Sequence, residues 1–165
     1  MLKNKKSLTL DEGFERYYLA LEYKSVGNNL KAINILKTTI IHLCNPEKLS
    51  NEVHLVAILQ NALAKIYMEV NDIKQALYFF DKSILNIDSL TAKENKVSVP
   101  LQEQQILKLL NMALLYKKIK KPDKSIKYLK LGQDRYKLII NSKERDETMS
   151  ITIKNKMQIL GIENF

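Results

Sequence analysis

Tryptophan is absent from this sequence and cysteine occurs once, at Cys44. A single thiol cannot close an internal disulfide, so a packed core has to hold the fold, and sparing use of cysteine suits a reducing compartment such as the cytoplasm. Glycine and proline are scarce too, four and three in 165 residues, which argues against turn-dense β-sandwiches and for long helices. Only two histidines are present. His42 and Cys44 lie two apart and would point to different sides of a helix, so no metal site is expected from them. No apolar run approaches the roughly 18 residues of a membrane span, and the opening MLKNKKSL lacks the apolar centre of a secretory signal. Gly-rich phosphate loops, paired cysteines and nucleophile elbows are missing, and the carboxylates are scattered over polar faces. With no converging acid, base and nucleophile, the expectation is a non-enzyme without cofactor or small-molecule substrate.

What is present is one order of small and large residues written three times. Leu63, Ala64, Tyr67, Asn71, Asp72, Ala76, Phe80 and Ser83 set it out. Leu19, Ala20, Tyr23, Gly27, Asn28, Ala32, Leu36 and Thr39 repeat it, as do Met112, Ala113, Tyr116, Lys120, Ser125, Leu129 and Gly132. Apolar residues fall at helical spacing on both sides of each interruption, so each copy reads as two antiparallel helices joined by a turn. Gly27-Asn28-Asn29 and Asn71-Asp72 supply two of the turns. Pro122 opens the second helix of the third copy, where a missing N–H costs little. Pro46 stops the first copy, Ser50 or Asn51 would cap the next helix, and the third copy is expected over about 101–143. Ala20, Ala64 and Ala113, opposite Ala32, Ala76 and Ser125, would let paired helices approach closely, with Tyr23, Tyr67 and Tyr116 filling the space between neighbouring hairpins.

This pattern, over residues 14 to 138, resembles the tetratricopeptide repeat, a helix–turn–helix unit of about 34 residues. The tyrosines stand 44 and 49 apart, so NPEKLSNEVHL and DSLTAKENKVSVP lengthen the unit as longer helices or ordered loops. The resemblance implies an all-α fold: a superhelical array of three antiparallel helix hairpins over 10–163, after a flexible basic segment at 1–9, closed by a C-terminal capping helix. Met149, Ile153, Met157 and Leu160 make the apolar stripe of that last helix, which ends at Gly161. It would either cap the open end of the array or lie in the concave groove.

Proteins similar in this way bind peptides or helices in a groove lined by their first helices. The matching positions are Tyr17, Leu21 and Lys24, then Asn61, Lys65 and Met68, then Leu110, Leu114 and Lys117. They imply an adaptor or scaffold whose protein partner is a helix or extended peptide with apolar anchors and some acidic residues. The leucines among them have a second reading as core. The carboxylate clamp of chaperone-binding members is not matched, because its places hold Tyr17, Leu21, Ala62, Leu107 and Asn111.

The formal charge is +9, and the excess is regional. Between Lys117 and Arg135, seven lysines and that arginine face only Asp123 and Asp134, a local balance of +6. Such a run serves as a solvated face or attracts an acidic protein, anionic lipid or nucleic acid. Nucleic-acid binding by the basic third hairpin is one alternative function; a peptide-sensing regulatory repeat domain is another, although no DNA-binding helix-turn-helix accompanies it.

Overall fold

The computed structural model describes residues 8–43, 50–94 and 98–161. They form seven α-helices and, among the described residues, no strand: α1 Leu10–Ser25, α2 Asn29–Leu43, α3 Ser50–Glu69, α4 Ile73–Glu94, α5 Val99–Lys118, α6 Pro122–Ile139 and α7 Glu147–Ile159. The chain divides into two compact units, Met1–Lys93 and Glu94–Phe165. Cys44, Pro46 and most of the basic segment at 1–9 lie outside the described residues.

Side chains cap the first amides of α1, α2, α4 and α7. Thr9 and Glu12 form a reciprocal capping box on α1: Glu12 N–H donates to Thr9 Oγ1 at 3.2 Å, and Thr9 N–H to Glu12 Oε2 at 2.8 Å. Asn28 and Asp72 accept from the amides of Lys31 and Gln75 at 3.2 and 3.1 Å, and Asp146 accepts from Met149 N–H at 2.7 Å. α5 starts at Val99, two residues before the expected boundary, because Pro100 is tolerated in a first turn that needs no N–H from it.

The three hairpin turns are built alike. Asn28, Asp72 and Lys121 donate their N–H to the carbonyls of Tyr23, Tyr67 and Tyr116 at 2.8, 2.9 and 2.9 Å. The residues just before them, Gly27, Asn71 and Lys120, take left-handed φ values of 78°, 63° and 56° and donate to Lys24, Met68 and Lys117. This is the Schellman closure, which satisfies carbonyls left over at a helix end. Three different residue types therefore adopt one backbone geometry at equivalent positions.

The small residues sit where the repeated order places them. Ala20, Ala32, Ala64, Ala76 and Ala113 are fully buried and Ser125 nearly so. Close approach also brings hydroxyls to opposing backbone: Ser83 Oγ donates to Ala57 O at 2.7 Å and Ser125 Oγ to Ala113 O at 2.9 Å. The tyrosines contact the second helix of their own hairpins. Tyr67 stacks on Phe79 (5.7 Å, 1°) and Tyr116 on Tyr128 (5.3 Å, 10°), each against the second helix of its own hairpin. Tyr23 is covered by Lys31 at 4.1 Å. Tyr67 also meets Lys37 of α2 at 5.4 Å, a contact between neighbouring hairpins of the expected kind.

In the first unit α3 packs on both helices of the first hairpin. Gly13, near the start of α1, faces Leu55, near the start of α3, and a Cβ there would lie 2.7 Å from Leu55 Cδ2. At the other end Lys24 pairs with Glu69 at 2.8 Å. The two first helices therefore run parallel. In the second unit α7 stands to α5 in the same way: Glu103 accepts from Asp146 N–H and Ser150 Oγ at 3.2 and 3.3 Å, and Lys117 Nζ donates to Ile159 O at 3.0 Å. Ile153 and Met157 of α7 join Ile106, Leu110, Tyr136 and Ile139 in one fully buried cluster. Burying six such side chains, at roughly 1.5–3 kcal/mol each, dominates the energetics of this unit.

Candidate partner-binding face

The residues singled out in the first two copies lie on the parallel helices α1 and α3. Tyr17, Leu21 and Lys24 recur at intervals of four and three, as do Asn61, Lys65 and Met68, so each set occupies one face of its helix. Tyr17, Leu21, Lys24, Asn61 and Met68 are half-buried and Lys65 is exposed. None is sealed in the core.

Charge is concentrated at the C-terminal ends of this pair. The Lys24–Glu69 bridge is partly exposed and contributes at most about 1 kcal/mol. Lys65 stands beside both partners. Its pKa is pushed below the ordinary lysine value, by partial desolvation first and by the Lys24 charge second, while Glu69 pulls it back up. Lys65 thus carries a positive charge that its surroundings only partly balance. Tyr17 has the opposite problem: burial, followed by repulsion from Tyr18 at a ring separation of 5.4 Å, raises its pKa and keeps the phenol neutral. The amide oxygen of Asn61 is buried and accepts no hydrogen bond in the structure, although an unmet buried acceptor costs about 1–3 kcal/mol.

The third set belongs to the second unit, on α5. Leu110 is fully buried in the cluster that α7 completes, and Gly132 of α6 leaves room for it, since a Cβ there would stand 3.1 Å from Leu110 Cδ2. The assignment of Leu110 to an open groove is corrected: it is core, because α7 lies along that face of α5. Lys117 is exposed, but its ammonium donates to the Ile159 carbonyl at the end of α7, while Leu114 remains half-buried. The candidate face is accordingly confined to α1 and α3.

Glu69 belongs to this face and was not among the residues singled out from the sequence. Its position four residues after Lys65 is a helical ion-pair spacing and was the available signal. His42 Nδ1 lies 2.6 Å from Thr38 O, a local contact within α2, and among the described residues no three His, Cys, Asp or Glu side chains gather as metal ligands. A cavity of about 420 Å³ opens between the α6–α7 connection and α7, lined by Ser142, Lys143, Arg145, Glu147, Ser150, Ile151 and Lys154. Its lining mixes both charges. Among the described residues no helix is long and apolar enough to cross a membrane. No protein-family model matches the sequence, and no match to a curated protein is found.

Proposed function

We propose that the protein is a non-catalytic interaction module of tetratricopeptide type, an adaptor or scaffold in which the three hairpins stack as a superhelical array and α7 takes the place of a further first helix. A partner protein docks on the α1–α3 face through Tyr17, Leu21, Lys24, Asn61, Lys65 and Met68. The observation that carries this reading is the exposed Lys65, crowded by Lys24 and only partly balanced by Glu69, on the same helix face as the half-buried Asn61 and Met68. An incoming segment satisfies Lys65 with a side-chain carboxylate. Leu21 and Met68 supply apolar contact, and the adaptable Met side chain suits a surface that is filled only on binding. The partner is therefore an apolar segment carrying acidic residues, and sparing cysteine use suits such a role in the cytoplasm.

Selection of random peptides displayed on phage against the immobilised full chain tests this reading. The expected outcome is enrichment of sequences that combine Leu or Phe with Asp or Glu, whose binding is lost in Lys65→Glu and weakened by added salt. Enrichment of basic peptides, or binding unchanged by Lys65→Glu and Met68→Asp together, contradicts it.

A further inference from the structure

Packing leaves the outer face of α6 open, and that face has an unusual composition. Ile126, Leu131 and Leu138 are 63%, 42% and 80% exposed. Lys124, Lys127, Lys130 and Lys137 are exposed among them, and at 100° per residue all seven fall within an arc of about 160°. Lys120 and Lys121, also exposed, extend the basic surface around the turn. Six lysines thus stand against Asp123 and Asp134, which are exposed within the same arc, and Asp134 already lies 3.8 Å from Lys137.

Three partner chemistries suit a basic surface, and the structure separates them. Single-stranded nucleic acid is held by lysines together with aromatic rings on which bases stack. Here Tyr128 is stacked on Tyr116, and Lys124 lies 5.4 Å from the Tyr116 ring, so that aromatic surface is committed within the hairpin. An acidic protein is no better match, because the centres of protein interfaces are depleted in lysine and enriched in arginine and aromatics. An anionic bilayer accommodates both features at once. Aliphatic side chains enter the boundary between headgroups and acyl chains, while lysines extend their stems along apolar surface and keep their ammonium groups among the headgroups.

We propose that the exposed face of α6 docks on the surface of an anionic lipid bilayer, with Ile126, Leu131 and Leu138 entering the interface and the surrounding lysines contacting acidic headgroups. The helix lies in the plane of the membrane and does not cross it. This surface is separate in sequence and role from the α1–α3 face, so protein binding and membrane attachment fail independently under mutation.

Co-sedimentation of the full chain with vesicles tests the proposal, using phosphatidylcholine alone and phosphatidylcholine mixed with roughly one-third phosphatidylserine to supply the negative surface potential. The chain is expected to sediment with the mixed vesicles and to stay in solution with the neutral ones. Each lysine near the surface is worth about fivefold in partitioning, so Lys127→Glu with Lys130→Glu lowers binding at least about 25-fold. Ile126→Ser with Leu138→Ser lowers it at least about fivefold, because two buried aliphatic groups are lost. Circular dichroism checks that both variants keep their helix content, which is expected because all four side chains are exposed. Equal sedimentation with neutral vesicles overturns the proposal, as does failure to bind the mixed ones. Loss on charge reversal without loss in the aliphatic variant, accompanied by equally lysine-dependent binding of a single-stranded oligonucleotide, overturns it in favour of a general polyanion surface.

Discussion

The third hairpin turn provides a sharp test of the backbone account. Lys120 holds a left-handed φ of 56° where the first turn has Gly27 at 78°. An L-residue in that conformation costs about 1–2 kcal/mol relative to glycine, because its Cβ crowds the following carbonyl. Lys120→Gly removes this cost but gives the unfolded chain more freedom, which returns about 0.4–1 kcal/mol. The net expectation is a stabilisation of about 0.5–1 kcal/mol, or a rise of roughly 1–4 °C in Tm for a chain of this size. Lys120→Ala keeps the Cβ and should be nearly neutral. Gly27→Ala is the reverse experiment: a Cβ there meets nothing within 4 Å, so the loss is backbone strain less the same unfolded-state term, about 0.5–1 kcal/mol. Urea denaturation with an unchanged m-value provides the measurement. A Lys120→Gly variant no more stable than Lys120→Ala refutes the argument, because left-handed strain would then not be limiting at this turn.

Three further outcomes follow from side-chain geometry. Leu110→Ala should cost about 2–5 kcal/mol as a core truncation, whereas Leu114→Ala, at a half-buried position, should cost clearly less; equal losses in thermal melts would return Leu110 to the surface. Glu103→Ala removes the carboxylate that receives Asp146 N–H and Ser150 Oγ, so it should cost about 1.5–3 kcal/mol and raise hydrogen exchange across 147–159 before α6, while uniform protection would mean that α7 is held by its apolar stripe alone. NMR titration of ¹³C-methylated lysines should find Lys65 titrating below the ordinary lysine value, higher in Lys24→Met and lower in Glu69→Gln, and a wild-type value at the ordinary lysine position contradicts the charge cluster. Because the folded pKa of Lys65 is depressed, its penalty on stability is complete below that pKa and disappears as pH rises through the unfolded value; Tyr17, with a raised folded pKa, acts oppositely at the same pH, so the effect is read in a Tyr17→Phe background.

The repeated order was legible because it encodes local requirements. Ala20, Ala64 and Ala113 mark close helix approach, and Gly27, Asn71 and Asn28 mark turn geometry, each readable from a residue type and its spacing. What escaped depends on partners distant in sequence. The extension of α4 through Asp88–Glu94 is not among these, because a longer helix was one of the two expected forms of that insert and its Leu, Ala, Lys and Glu are good helix formers. Glu103 is fully buried, where a carboxylate alone is unfavourable; the arrival of Asp146 and Ser150 gives it hydrogen bonds. The spacing of Leu110 and Leu114 told that they share a helix face, but periodicity does not say which neighbour covers it. The face on α1 and α3 was likewise indicated by position, whereas the crowding of Lys65 by Lys24 and Glu69 needed two helices brought together in space.

The central claim is that a partner docks on the α1–α3 face, and site-specific photo-crosslinking measures it most directly. A photoreactive phenylalanine analogue replaces Met68 on that face in one variant and Leu85, an exposed position of α4, in another, and both are irradiated in the cell of origin. The account predicts a discrete crosslinked species from position 68, containing an acidic, apolar segment of another protein and abolished by Lys65→Glu, with none from position 85. Adducts from position 85 without any from position 68, or a position-68 adduct indifferent to Lys65→Glu, would contradict it.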